Sequence, residues 1–361
     1  MNKKDIIKYT ILLIIFIGSI IFMNNSAFLY KETIVKVINV EETLIDTETE
    51  IRGITENQYL QEVKVEVLNG SYKGDILIFE NETNESNVYG ENYSENTQIF
   101  VTLSSDGTSI EKVNDIRRDI YLMPIIVLFV CLLLLVGNKK GLYSFIGLLI
   151  NIFIVFIALL LRFEGLNIFY LFIIASILFT TISLILSSGI NKKTLIAIIS
   201  TLSTLFISFI ISFIVLKIFE NQIPYWYMDY VEVLFDYERV FFISILVGGL
   251  GAIMDMAITI SSTLNELKVN NKNITTKELK KSGMEVSKDV MGTMANVLLF
   301  SYISGSIPML LFVMRNEIPL ALAINSYAKL EIIRFLTSSI GLVLAIPISL
   351  FFALKLIKGR E

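Results

Sequence analysis

The chain has 361 residues, 54% of them hydrophobic, and a mean hydropathy of +0.68. Its apolar residues gather in blocks of about twenty, which predicts a polytopic membrane protein rather than one large soluble core. The formal charge of −4 gives no basic surface for nucleic acid.

The composition also excludes several kinds of chemistry. Histidine is absent and Cys131 is the single cysteine, so there is no intramolecular disulfide, no Cys/His zinc site and no Cys-His nucleophile pair. The sequence contains no Walker loop, GxGxxG or HExxH motif. We therefore predict no metal site, no cofactor and no enzymatic activity.

The first apolar segment, residues 1–23, is predicted to be a transmembrane helix or signal anchor, because basic residues precede a short hydrophobic run. A cleaved signal peptide also fits this pattern. The following "MNNSAFLY" (23–30) is a poor cleavage site, which favours the uncleaved anchor. Both interpretations place residues 24–118 outside the cytoplasm.

Residues 24–118 are predicted to form a small β-rich extracytoplasmic domain. "QEVKVEV" (61–67) alternates valine with charged residues, and "NGSYKG" then predicts a turn into a second strand. The Asn, Glu and Ser of 80–96 indicate a solvated loop; a calcium loop is the alternative, although the required ligand spacing is missing. The other predicted strands are 31–42, 75–81 and 97–103.

Residues 119–361 are predicted to form a seven-helix transmembrane domain, which gives about eight spans in all. Sixteen Lys and Arg residues lie near the proposed inner ends of the spans and four lie in the outer loops, so both termini are predicted to be cytoplasmic. The proposed spans are about 9–23, 120–137, 142–161, 167–186, 195–217, 241–264, 293–313 and 333–354.

A lone carboxylate, Asp255, lies inside the sixth span, within "GGLGAIMDMAITISSTLNEL". A charge at the centre of a membrane helix costs about 2.5–3.5 kcal/mol, so Asp255 is expected to face water or protein. Thr259 shares its helical face, and Asn296 lies at a comparable depth in the next span. We predict that these three residues bind an ion or a solute; the alternative is that Asp255 only hydrogen-bonds a neighbouring helix.

Two further groups of residues receive predicted roles. Glu331 and Arg334 are three residues apart in the last span, which favours an ion pair at the outer interface and makes them candidates for an outer gate. Small residues allow helices to approach closely. The predicted packing glycines are Gly248, Gly251, Gly292 and Gly305.

Three stretches of the sequence resemble one family. "GGLGAIMDMAITISSTLNEL", "SGMEVSKDVMGTMANVLLFSYISGSIPMLL" and "IIRFLTSSIGLVLAIPIS" are similar to the YibE/F family of bacterial multipass membrane proteins, as is the order of a span, an outer domain and a block of spans. The resemblance implies a location in the bacterial cytoplasmic membrane. It implies no particular substrate or catalytic residue.

Together these patterns predict a secondary transporter or permease for a small solute, cation or proton, with the lipid bilayer as its constant partner. The alternative is a membrane-anchored scaffold or sensor. In that case residues 31–118 would bind a protein partner or a second copy of the chain.

Overall fold

The computed structural model describes residues 3–49, 55–87, 90–219, 222–228, 236–316 and 318–358. The protein is mostly helical, at 69%, with an N-terminal β domain. It divides into two compact units, Met1–Gly141 and Leu142–Glu361.

The first unit contains helix α1 (Lys3–Asn24) and a five-stranded antiparallel sheet with the strand order β3-β2-β1-β4-β5. The alternating valines of β2 face the core, where Val63, Val65 and Val67 are at most 1% exposed. The prediction of a β-rich domain is therefore confirmed. The strands are β1 (Thr33–Thr49), β2 (Thr55–Val67), β3 (Ile76–Asn84), β4 (Gln98–Leu103) and β5 (Ile110–Ile116).

The stretch 80–96 is only partly the solvated loop that its composition predicts. Its first residues continue strand β3 to Asn84, and Tyr93 is 6% exposed in the core of the sheet. The buried Gln61 side chain explains this placement: its Oε1 accepts hydrogen bonds from the Tyr93 backbone N–H at 3.1 Å and from Asn81 Nδ2 at 3.0 Å. The buried Gln61 amide therefore holds this polar loop against the sheet.

A buried arginine joins the sheet to two helices. Arg117, 1% exposed, follows β5 and donates to Gln98 Oε1 at 2.6 Å, Ser26 Oγ at 2.5 Å and Asp119 Oδ1 at 3.1 Å. Its guanidinium carbon lies 4.9 Å from the centre of the Tyr30 ring. Ser26 follows α1 and Asp119 begins the next helix, so this junction connects the sheet to both.

Helix α2 (Asp119–Phe163) contains a sharp break. Asn138 has φ 49° and ψ −127°, which is not helical. A Cβ atom placed on Gly141 would lie 2.1 Å from the backbone oxygen of Leu133. In a continuous helix, residues eight apart are separated by about 12 Å. The chain therefore folds back on itself around Asn138.

The second unit is a helical bundle whose centre is formed by α4, α6 and α9. Thr275, in the stretch "NITTKEL" (273–279), caps α7 in a capping box with Glu278. The helices are α3 (Ile168–Ser188), α4 (Lys192–Ile218), α5 (Tyr237–Gly248), α6 (Leu250–Asn270), α7 (Thr276–Arg315), α8 (Leu320–Ala323) and α9 (Lys329–Lys358).

Small residues let the central helices meet closely. A Cβ atom on Gly341 of α9 would lie 2.8 Å from Ile253 Cδ1 and 2.9 Å from Ser208 Oγ. The bulky face of α6, including Met256 and Ile260, fills the centre and is fully buried. Large side chains of α6 therefore pack against small ones of α4 and α9.

Among the described residues, seven helical stretches are long and apolar enough to cross a membrane. The predicted spans 120–137 and 142–161 both fall within the single element α2, on either side of Asn138. The seven stretches are Ile6–Asn24, Asp119–Phe163, Ile168–Ser188, Lys192–Ile218, Tyr237–Asn270, Thr276–Arg315 and Lys329–Leu356.

Candidate functional site

Asp255 lies on the outward face of α6. Met256 and Ile260 on the other side of the helix are completely buried, whereas Asp255 is exposed. Its carboxylate makes no hydrogen bond or ion pair with the residues that the structure describes. The acid is thus available to an ion, to water or to another polar group.

Two close approaches fix the register between α6 and the antiparallel α7. A Cβ atom on Gly283 would lie 3.0 Å from Leu264 Cδ2, and one on Gly248, at the end of α5, would lie 2.0 Å from Tyr302 Oη. Asp255 is about nine residues before Leu264, and Gly292 is about nine residues after Gly283. Asp255 and Gly292 are therefore at nearly the same level.

The two residues predicted to assist Asp255 lie close to that level. Asn296 is one turn beyond Gly292 and is exposed, while Thr259 is one turn beyond Asp255 on its own helix and is half-buried. Within the described part of the chain, no hydrogen bond joins any two of the three residues. Asn296 and Thr259 lie about one turn from Asp255 in opposite directions along the helix axis, so they are about 12 Å apart and the structure does not assemble the three residues into one closed site.

The four predicted packing glycines have different surroundings. Gly248 lies against Tyr302, whose hydroxyl shares a 2.9 Å hydrogen bond with Ser338 Oγ. Gly251, Gly292 and Gly305 have open space where a Cβ atom would project. Close packing in the described structure therefore involves only the first of the four.

Glu331 and Arg334 form an ion pair near the start of α9. The guanidinium lies 5.1 Å from the centre of the Phe241 ring, and Arg334 Nη2 lies 3.8 Å from Met228 Sδ. Arg334 Nε is buried without a hydrogen-bond partner among the described residues. The pair is therefore well packed, and its role as a gate stays a prediction.

Sequence reasoning missed a row of buried hydroxyls along α4. The signal was present, because serine and threonine recur every four residues and so line one helical face. Among them, the Oγ atom of Ser200 has no hydrogen-bond partner in the described structure. The members, at most 7% exposed, are Ser200, Thr204, Ser208 and Ser212.

A small void lies beside this row. A void of about 10 Å³ adjoins Ser208, Gly249 and Ser338, which is room for about one water molecule. No cluster of three or more His, Cys, Asp or Glu residues suited to a metal ion occurs in the described ranges.

Comparison with known proteins identifies the family. Residues 125–359 match the family described as YibE/F-like protein, and residues 28–116 match the YibE/F family N-terminal domain. No curated protein and no solved structure matches the chain significantly. Since the two matches cover most of the sequence, the chain belongs to the YibE/F family.

Proposed function

We propose that this protein is a secondary transporter for a proton or a small cation, with Asp255 as the group that binds it. The observation that carries the proposal is the exposed carboxylate of Asp255, which has no partner among the described residues. It lies in the middle of the stretch formed by α5 and α6, which is long enough to cross a membrane. Within Tyr237–Asn270, Asp255 is about 27 Å along the helix axis from one end and about 22 Å from the other.

An exposed acid at that depth needs a polar environment. Contact with hydrocarbon would cost the charged form about 2.5–3.5 kcal/mol, so water or protein is expected to cover it. Asn296 and Thr259, each within about one turn of its level, supply neutral oxygen atoms of the kind that bind hard cations. Glu331 and Arg334 would act as an outer gate, because separating them changes the packing beside Phe241.

The proposed topology has eight crossings, with both termini in the cytoplasm of a bacterium and the sheet outside. The reversal at Asn138 supports the eighth crossing, because it divides α2 into two stretches of 19 and 25 residues (119–137 and 139–163). Each stretch is about long enough to cross a hydrocarbon core.

The test is ion flux into proteoliposomes that contain the full chain and a trapped pH-sensitive dye. With an imposed proton gradient, and with or without sodium or potassium, Asp255→Asn is expected to reduce flux to the level of protein-free liposomes, because it removes the charged group that binds the ion. Glu266→Gln is the matched control, since it removes another exposed acid from the same helix. Equal flux in wild type and Asp255→Asn would refute the proposed role.

One observation favours a second candidate, a scaffold or sensor. The Arg117 junction ties the sheet to α1 and to the start of α2 through several hydrogen bonds, so a partner bound to residues 31–118 would act directly on both helices. This function would survive Asp255→Ala and be lost on deletion of residues 31–118. Recovery of one defined partner, or of a second copy, by the full chain but not by the deletion variant would support it.

A further inference from the structure

A basic cavity opens at one end of the helical unit. Its volume is about 380 Å³, and it lies where α4 begins and α6 ends. None of the described residues that line it is acidic. The lining residues are Lys192, Ile196, Asn265, Lys268, Val269, Lys272 and Leu356.

Three lysines from separate segments converge on this cavity. Lys192 begins α4, Lys268 lies in the last turn of α6, and Lys272 follows that helix. Lys268 Nζ donates to the backbone oxygen of Lys272 at 3.0 Å, which holds the loop close to the helix. The positive end of the α4 dipole adds to the ammonium charges, so the cavity attracts anions.

The remaining lining distinguishes this cavity from a simple basic surface. Asn265 adds an amide that can donate to an oxygen anion. Ile196, which is 2% exposed, forms an apolar wall together with Val269 and Leu356. A ligand that carries both a phosphate and hydrocarbon matches both parts.

We propose that this cavity binds the phosphate headgroup of an anionic phospholipid. The three lysines would contact the headgroup, and the apolar wall would contact the first carbons of the acyl chains. Basic pockets between membrane helices are suited to such headgroups, because the ends of apolar helices lie at the level of the lipid phosphates. This site is separate from Asp255 and independent of transport.

The test uses the full chain in detergent micelles, titrated with dioleoyl phosphatidylglycerol or dioleoyl phosphatidylcholine and observed by native mass spectrometry. The variants are a triple change, Lys192→Gln, Lys268→Gln and Lys272→Gln, and the single change Lys272→Gln. The matched control replaces three exposed lysines of α7 by glutamine and so removes the same charge elsewhere. The control positions are Lys277, Lys280 and Lys281.

Wild type is expected to bind the anionic lipid more tightly than the zwitterionic one. A lysine near an anionic headgroup contributes about 1 kcal/mol, which is about fivefold in binding affinity. The single variant should therefore bind the anionic lipid about fivefold more weakly, and the triple variant about 100-fold more weakly. The control should retain nearly wild-type binding. Equal losses in the triple variant and the control would overturn the proposal, since they would show only general charge attraction.

A competition experiment distinguishes a lipid headgroup from a soluble phosphate as the ligand. Inorganic phosphate and glycerol 3-phosphate, at millimolar concentration, are expected to leave the bound lipid in place because they lack the apolar part. Displacement of the lipid by either anion would overturn the lipid assignment and identify a site for soluble phosphates. Loss of flux in Asp255→Asn with unchanged lipid binding would leave this inference intact.

Discussion

Replacing Arg117 by methionine removes the charge at the junction while keeping much of the side-chain volume. The change leaves Gln98 Oε1 and Ser26 Oγ without the Arg117 donor. It also removes the ion pair of Asp119, whose Oδ2 still accepts a hydrogen bond from Tyr30 Oη at 2.6 Å. Breaking a buried ion pair by removing one partner costs about 3–5 kcal/mol. The Asp119 side chain is 24% exposed and keeps some access to water, so we expect a loss near the lower limit, about 3 kcal/mol.

The adjacent Arg118 provides the matched control. Its side chain is 42% exposed, and its partners Glu91 and Asp115 are 49% and 59% exposed. Exposed ion pairs contribute about 0–1 kcal/mol, so Arg118→Met should have little effect on stability. The two substitutions are the same chemical change at neighbouring positions. They differ in that Arg117 is buried and Arg118 is exposed.

Hydrogen–deuterium exchange of the full chain in detergent measures the difference. About 3 kcal/mol corresponds to amide exchange roughly 100-fold faster in peptides covering β4 and β5, whereas Arg118→Met should change exchange less than about fivefold. Equal exchange in the two variants would refute the claim that the buried junction holds the sheet to the helices. Faster exchange confined to α3–α9 would refute it as well.

Two further predictions concern the first unit. Gly141→Ala should destabilise the reversal at Asn138 by about 1–3 kcal/mol, because its Cβ would meet the Leu133 backbone, whereas Gly137→Ala, with open space, should be near neutral in thermal unfolding. A hydrogen bond from Ser104 is the main reason that the pKa of Asp106 is lowered to about 2. Its support of the β4–β5 turn should therefore persist above its ordinary pKa of 3.8 and be lost as the pH falls through about 2. Carbon-13 NMR titration measures this midpoint, and Ser104→Ala should raise it; an ordinary midpoint in wild type would contradict the prediction.

The sequence predicted those elements that are determined by residues close together in the chain. Alternating valines identified β2. Strand β5 was missed because "IEKVNDI" contains mostly polar residues and is largely exposed, so its pairing with β4 defines it. In "DIRRDI" the sequence does not distinguish Arg117 from Arg118, since only the sheet and helix contacts decide which of them is buried.

The orientation of α6 is likewise decided by tertiary contacts and not by the sequence pattern alone. Helical spacing places Asp255 and Thr259 on one face of α6, but spacing alone does not say which face of the helix contacts the bundle. The packing decides: Ser208 and Gly341 leave space in α4 and α9 that large side chains of α6 occupy. Asp255, which the sequence predicts to face water or protein, therefore lies on the outer surface of the helical unit.

Under the proposed transport function, this orientation limits the route that an ion could take. The void beside Ser208 in the centre of the bundle holds about one water molecule, so an ion with its hydration shell does not fit there in the described state. Asp255 and Asn296 instead lie on the outward faces of α6 and α7 at similar depth. A route that uses Asp255 must then follow this outer face, between α6–α7 and whatever covers them. The proposed function therefore predicts that changes to the hydroxyl row of α4 act mainly on stability, whereas changes along the outer face act on flux.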